Sequence, residues 1–368
     1  MANLHQLLKA MVEKGASDLH ITTGSPPQLR IDGKLVPLKT TPLSPVETKQ
    51  LCYSILTDAQ KHRFEENLEL DLSFGIKSLA RFRANVFVQR GAVAAAFRRI
   101  PYEILGFREL GLPPSVEALC NKPRGLVLVT GPTGSGKSTT IASLLEQLNQ
   151  HGPRRHVVTV EDPIEFVFEP RNAVFEQREV GTDTRSYARG LRGALRQMPN
   201  VIFVGEMRDL ASMAIALAAA ETGNLVISTM ATQNAAQTVT RIVDSFPPHQ
   251  QSQIRSQLAL TLRAVISQVL LPRADGRGRV AAREVLFVTP AVANLIREDK
   301  IHQVPNVIAT GGREDMLSLD DSLADLVDRG AVAFESAYPY FEDTDKRAAL
   351  QKRYYGLGTV PEAALRRT

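Results

Sequence analysis

Leu126-Val127-Leu128-Val129-Thr130-Gly131-Pro132-Thr133-Gly134-Ser135-Gly136-Lys137-Ser138-Thr139-Thr140 runs an apolar strand into a glycine loop and then into the start of a helix. The loop meets G-x-x-x-x-G-K-[ST] at every specified position. Gly131, Gly134 and Gly136 allow the backbone angles and close approach that let successive N–H groups surround phosphate oxygens, and the new helix turns its positive end toward them. In this reading Lys137 meets the β- and γ-phosphates and Ser138 ligates Mg2+, so Gly131, Thr133, Gly134, Ser135, Gly136, Lys137, Ser138 and Thr139 form the nucleotide cradle. The alternative is a glycine turn with no ligand. The strand Gly125 to Thr130 before the loop and the helix-compatible stretch Thr139 to Asn149 after it supply the context that a phosphate loop requires.

Working outward, 368 residues suffice for two domains, and 43% hydrophobic with 23% charged residues is ordinary for a soluble globular chain. No apolar run reaches the ~20 residues of a spanning helix, and Met1 to His5 lacks the charged start of a signal peptide. The expected location is cytoplasmic, with docking to a membrane complex left open. Cys52 and Cys120 are far apart and have no C-x-x-C partner, which excludes a disulfide framework and a tetracysteine zinc site. A net charge of +5, from 44 basic and 39 acidic residues, fits a solvated surface with phosphate-binding arginines. With no Trp there is little aromatic surface for stacking bases, and no stable nucleic-acid binding is expected.

Before the loop, Leu4, Leu7, Leu8, Met11 and Val12 fall at helical spacing and Gly15 stops the helix. Ser17 to Ile21 reads as a strand, Gln28 to Val36 as a hairpin turning at Asp32-Gly33, and Pro42 to His62 as one helix beginning near Ser44-Pro45. Leu70 to Phe74, Arg81 to Arg90 and Ala92 to Arg99 alternate as strands. An α+β domain over 1–112 results, followed by a linker over 113–122 with one short helix at Ser115 to Cys120. Beyond it, strands at Leu126 to Thr130, His156 to Glu161, Val201 to Gly205, Leu225 to Thr229 and Val280 to Val288 alternate with helical stretches. This pattern predicts an α/β fold over 123–290, with a mostly parallel sheet covered on both faces. Residues 291–335 read as largely helical within a C-terminal region over 291–368, whose tail from Phe334 is polar and charged and frays after Gly356.

Two acidic clusters follow strands: Glu161-Asp162-Pro163-Ile164-Glu165 and Gly205-Glu206-Met207-Arg208-Asp209. In a parallel sheet both reach the edge that carries the phosphate loop, where carboxylates can hold the water shell of a metal and deprotonate an attacking water. Glu206 is the candidate base and Glu161 its partner near Mg2+; either alone reads equally as a helix-capping loop carboxylate. The strand Leu225 to Thr229 leads to Met230-Ala231-Thr232-Gln233-Asn234, where a polar side chain would report on the γ-phosphate. In the first domain, Arg81, Arg83, Arg90, Arg98 and Arg99 crowd two strands. They suit either phosphate or a solvated face, until a ring of subunits lets one subunit's arginines reach another's nucleotide.

These blocks together resemble the secretion ATPase superfamily, and within it the type IV pilus retraction ATPases of the PilT and PilU kind. Gly15-Ala16-Ser17-Asp18-Leu19-His20 is similar to the opening signature, Gly131 to Ser138 to Walker A, Val160 to Glu165 to the Asp box, and Val204 to Asp209 to Walker B. Asn294-Leu295-Ile296-Arg297-Glu298-Asp299-Lys300 resembles the C-terminal motif required for retraction. The resemblance implies a PAS-like N-terminal domain joined to a RecA-like ATPase domain in a ring hexamer. It implies ATP and Mg2+ as cofactors, and arginines matching Arg81, Arg83, Arg90 or Arg98 at the nucleotide. The implied partners are further copies of the chain, an inner-membrane platform protein and a paralogous retraction ATPase. The chain lacks the tetracysteine element of extension and secretion relatives.

Two departures stand out. Met230-Ala231-Thr232-Gln233 replaces the family's His box, and Arg196-Gln197-Met198-Pro199-Asn200 lacks the usual acidic residues before Walker B. Three functions follow as expectations: a retraction motor, a nucleotide-binding accessory paralogue with weak turnover, and a RecA-like motor stimulated by nucleic acid.

Overall fold

The computed structural model describes residues 3–31, 33–77, 79–100 and 103–355. They form two compact units, one of Met1–Glu103 with Pro163–Val167, the other of Ile104–Asp162 with Phe168–Thr368. The stretch read as the end of the first domain and the linker, Ile104 to Lys122, thus belongs to the second unit, where Leu112, Val116 and Leu119 are buried.

The first unit is a six-stranded antiparallel sheet of β1 (Asp18–Ile21), β2 (Gln28–Ile31), β3 (Lys34–Pro37), β4 (Glu69–Ile76), β5 (Ala80–Gln89) and β6 (Ala92–Ile100), in the order β3-β2-β1-β6-β5-β4. Its opening helix, Leu4–Glu13, is fixed by a reciprocal cap between Asn3 and Gln6 and buries Leu4, Leu7, Leu8 and Met11. Alternation along β5 buries Phe82, Ala84 and Val86 and turns Arg81 and Arg83 to the other face. The hairpin of β2 and β3 pairs Ile31 with Lys34 around Gly33 at φ +80°; Asp32 lies outside the described residues.

The single helix expected from Pro42 to His62 is two helices, Pro45–Tyr53 and Asp58–Asn67. Thr57 breaks it: its hydroxyl accepts the N–H of Gln60, whose side chain returns to the Thr57 N–H, so a new helix starts there.

The second unit is a seven-stranded sheet of β7 (Gly125–Thr130), β8 (Arg155–Glu161), β9 (Ala173–Glu179), β10 (Val201–Val204), β11 (Leu225–Met230), β12 (Leu262–Pro272) and β13 (Arg279–Phe287). The order is β13-β12-β7-β11-β10-β8-β9, parallel throughout except for the antiparallel pair β12–β13. Every residue of β7, β10 and β11 is buried, as expected for central strands covered on both faces. One large core joins these strands to the helices Leu210–Thr222, Ala235–Asp244, Pro248–Thr261 and Pro290–Arg297.

Two strands escape the sequence reading. The helix Pro248–Thr261 passes into β12 at Leu262 with no glycine or proline between them to mark the change. β9, Ala173-Val174-Phe175-Glu176-Gln177-Arg178-Glu179, is an edge strand whose polar side chains hide its period. The C-terminal stretch is also more ordered than its charge suggests. The helix Leu319–Asp328, followed by Gly330, packs with Phe334–Ala337 and Thr344–Tyr355, and Phe334 contacts the rings of Tyr338, Phe341, Tyr354 and Tyr355. The fraying expected after Gly356 lies outside the described residues.

Candidate phosphate-binding site

β7 ends at Thr130 and the chain turns at Gly131, whose φ is +138°. A Cβ at Gly131 would stand 2.3 Å from the Gln268 carbonyl oxygen and 2.7 Å from Ser135 Oγ, so glycine is the residue that lets the loop lie against β12. Gly134 (φ +81°) and Gly136 (φ +90°) complete the turn; Thr133 and Gly134 form its exposed crest. The helix Lys137–His151 begins directly after Gly136, which has no side chain to cap it. Its first-turn N–H groups, those of Lys137, Ser138 and Thr139, therefore face the loop without intrahelical acceptors. Ser135 Oγ is buried and has no hydrogen-bond partner among the described residues. Amides at a positive helix end, the buried Ser135 hydroxyl and a lysine in one turn are the donors that a polyphosphate needs. Lys137 Nζ meanwhile donates to the carbonyls of Gly131 (2.7 Å) and Pro132 (3.0 Å).

Gln268 of β12 holds the loop from behind. Buried, it donates from Nε2 to the Ser135 carbonyl (2.7 Å) and accepts at Oε1 from Thr140 Oγ1 (2.9 Å). No sequence signal marks this residue, because none marks the start of β12.

At the same sheet edge, Glu161 ends β8 and Glu206 follows β10, the neighbouring strand. β11 separates β10 from β7, which sets the loop about 10 Å from Glu206, two strand spacings. Glu161 is buried and its Oε1 accepts from Thr159 Oγ1 (2.7 Å) and Gln177 Nε2 (3.3 Å). Glu206 is half-buried, and its Oε2 accepts from Arg208 Nε (2.8 Å) with Arg208 Nη2 at 2.7 Å. Near both carboxylates lies Tyr187, which sequence reasoning also missed. Its hydroxyl is raised well above the ordinary phenol range by burial and by the negative charges of Asp162, Glu206 and Glu161, with Arg208 opposing. Gly205 makes room for it, since a Cβ there would stand 3.0 Å from the Tyr187 oxygen.

Ser138, Glu161 and Glu206 are the residues assigned to Mg2+. Among the described residues no group of three or more His, Cys, Asp or Glu gathers as a metal cage. Mg2+ requires none, because it keeps several waters and binds phosphate oxygens alongside one or two protein ligands.

The arginines of the first unit have distinct surroundings. Arg81 donates to Ser73 Oγ (2.7 Å) and to the Ile164 carbonyl (3.1 Å), and Arg98 pairs with Asp18 at 2.9 Å. Arg83 is exposed on β5 opposite Arg98 and Ser73, and Arg90 lies at φ +50° in the β5–β6 turn; neither makes an ion pair among the described residues.

Asn200, one of the departures, is bonded to the neighbouring strand. It stands at the start of β10, the edge opposite Glu206, where its Oδ1 accepts the His156 N–H (2.9 Å) and its own N–H bonds the His156 carbonyl (2.9 Å). Ala231, in contrast, follows β11 at the loop's own edge, one strand from Gly131. In the C-terminal motif Ile296 is buried, while Asn294 bonds Glu298 (2.9 Å), Lys300 pairs with Glu298 (2.7 Å) and Asp299 with Arg255 (3.5 Å).

A strand, glycine loop and helix on a parallel sheet, with two carboxylates at the same edge, define a phosphate-loop nucleotide triphosphatase. The family model described as "Type II/IV secretion system protein" matches residues 1–314. The chain is 47% identical over 335 residues to the type IV pilus retraction ATPase PilT of Pseudomonas aeruginosa, covering 91% of this chain and 97% of that one. It is 37% identical over 340 residues to the type IV pilus ATPase PilU of the same organism, covering 92% and 89%. The crystal structure of the pilus retraction motor PilT with bound ADP aligns with a TM-score of 0.87 at 47% identity, over 94% of this chain and 99% of that one. The chain belongs to the type II/IV secretion ATPase family, among its PilT- and PilU-like type IV pilus ATPases.

Proposed function

We propose that the chain is a Mg2+-dependent ATPase that drives type IV pilus retraction and thereby twitching motility. The observation that carries this reading is the phosphate loop with Glu161 and Glu206 at one sheet edge, in a chain similar to PilT across both units. ATP with Mg2+ supplies the labile phosphoryl bond and the charge that holds it. The chain's own residues do the rest. The loop amides and Lys137 would orient the phosphates, Ser138 and Glu161 would hold the metal directly or through water, and Glu206, once released by Arg208, would take the proton of the water whose oxygen bonds the γ-phosphorus as the bond to the β-phosphate oxygen breaks and ADP leaves. Arg81, Arg83, Arg90 and Arg98 would complete the site within a homohexameric ring. The ring would work in the cytoplasm against an inner-membrane platform protein. Among the described residues no helix is long and apolar enough to cross a membrane.

The test is deletion of the gene with imaging of labelled pili, complemented by the wild-type chain and by Glu206→Gln. Retraction lost on deletion and restored only by the wild type supports the motor; normal retraction after deletion refutes it.

Ala231 favours a second reading, an accessory paralogue with little turnover of its own. A methyl group there reaches no phosphate. Ala231→His then raises the ATPase rate, and an unchanged rate removes the support for this reading.

A further inference from the structure

A polar chain links the phosphate-loop strand to the segment that follows β11, through a carboxylate to which the chemistry above gives no role. Thr130, buried at the end of β7, donates from Oγ1 to Ser267 Oγ at 2.9 Å. Ser267 stands beside Thr130 in the β7–β12 register and opposite Glu284 in the β12–β13 register. Its hydroxyl lies 3.4 Å from Glu284 Oε1, and the same oxygen accepts the N–H of Ala235 at 2.7 Å. Ala235 opens the helix Ala235–Asp244, immediately after Ala231-Thr232-Gln233-Asn234. That short segment is itself tied to the helix, because Asn234 caps it at Gln237 N (2.8 Å) and Thr232 Oγ1 bonds Thr238 Oγ1 (2.7 Å).

Packing alone does not account for a glutamate at this position. Burial raises its pKa, the nearby charges of Glu342 and Asp320 raise it further, and it makes no ion pair among the described residues. A leucine there would avoid this cost. What the carboxylate adds is an acceptor for Ala235 N and Ser267 Oγ together. Thr130 is the residue before Gly131, and Met230 is its partner on β11. The strand end before the phosphate loop and the helix start after Ala231–Asn234 are thus joined through the side chains of Ser267 and Glu284.

We propose that Glu284 is a positioning residue that couples the segment Ala231–Asn234 to the phosphate loop, so that the bound triphosphate is read through backbone placement where residue 231 offers no polar side chain. The inference rests on the ATPase reading above.

The experiment uses the full chain and its variants Glu284→Ala, Glu284→Gln and Ser267→Ala, with Lys137→Ala as control. It measures kcat and KM for ATP, affinities for fluorescent ADP and for a non-hydrolysable ATP analogue, and thermal unfolding. Glu284→Ala lowers kcat about tenfold and weakens the preference for the ATP analogue over ADP, with ADP affinity held within about threefold. Glu284→Gln, which keeps an acceptor for Ala235 N, recovers most of both losses. Ser267→Ala, a milder change that decides the matter if Glu284→Ala fails to fold, shows the same shift in preference. Three results overturn the proposal: unchanged kcat and preference in the Ala variants, an equal loss of affinity for both nucleotides, or a Gln variant as impaired as Ala. A wild type that neither hydrolyses ATP nor binds ADP more tightly than Lys137→Ala would instead overturn the ATPase reading beneath it.

Discussion

Replacing Gly131 and Gly134 in turn by alanine separates the two demands that the phosphate loop makes on glycine. Both residues have positive φ, +138° and +81°, so both substitutions strain the backbone by roughly 1–3 kcal/mol. Only at Gly131 does the new methyl collide: the Gln268 carbonyl oxygen would be 2.3 Å away, whereas nothing lies within 4 Å of a Cβ at Gly134. The Gln268 carbonyl must retreat by about 1 Å to reach an ordinary contact, and it belongs to β12, which is paired to β7. Overpacking of this kind adds about 1–3 kcal/mol. Gly131→Ala should therefore destabilise the second unit by about 1–3 kcal/mol more than Gly134→Ala, a further fall in melting temperature of about 2–4 °C per kcal/mol. The chain has no Trp, so far-UV circular dichroism in urea is the suitable probe, with a fluorescent ATP analogue reporting affinity. Equal destabilisation by the two changes, or a Gly131→Ala variant with wild-type stability and affinity, would refute the reasoning.

Further predictions concern the surroundings of the site and the first unit. Gln268→Leu strands the Ser135 carbonyl and the Thr140 hydroxyl; it should cost about 1–3 kcal/mol and weaken ATP binding, which titration of the purified variant measures. Burial raises the Asp18 carboxyl, but hydrogen bonds from Ser17 and Arg98 and the charge of Arg98 outweigh it and leave the pKa below 3.8. A depressed carboxyl stabilises the fold above its unfolded pKa and loses that contribution as pH falls through the folded value. Asp18→Asn should therefore flatten the decline in stability below pH 3.8 in acid titrations followed by circular dichroism. Burial pushes the thiols of Cys52 and Cys120 up to about 12, so a disulfide reagent at neutral pH should label neither in the native protein and both in denaturant.

The sequence revealed the parts of the site whose chemistry is local. Gly131 to Ser138 carry their strand, turn and helix within fifteen residues of one another, and the apolar runs before Glu161 and Glu206 identify parallel strands ending at one edge. What stayed hidden depends on partners distant in sequence. Gln268 reaches Thr140 across 128 positions and Ser267 reaches Thr130 across 137, and their strand follows a helix with no break signal. Tyr187 was invisible for a similar reason: only the ordering of β8 beside β10 gathers Asp162, Glu161 and Glu206 around it. Asn200 is close to Glu206 along the chain, while a strand of four residues carries the two to opposite edges of the sheet, a separation that only the sheet reveals.

The claim that a metal-dependent triphosphatase is assembled at this edge is tested most directly by phosphate release from ATP. The purified chain with Mg2+ should release phosphate, and Lys137→Ala and Glu206→Gln should each abolish release while remaining folded by circular dichroism. Substantial release by either folded variant would contradict the account.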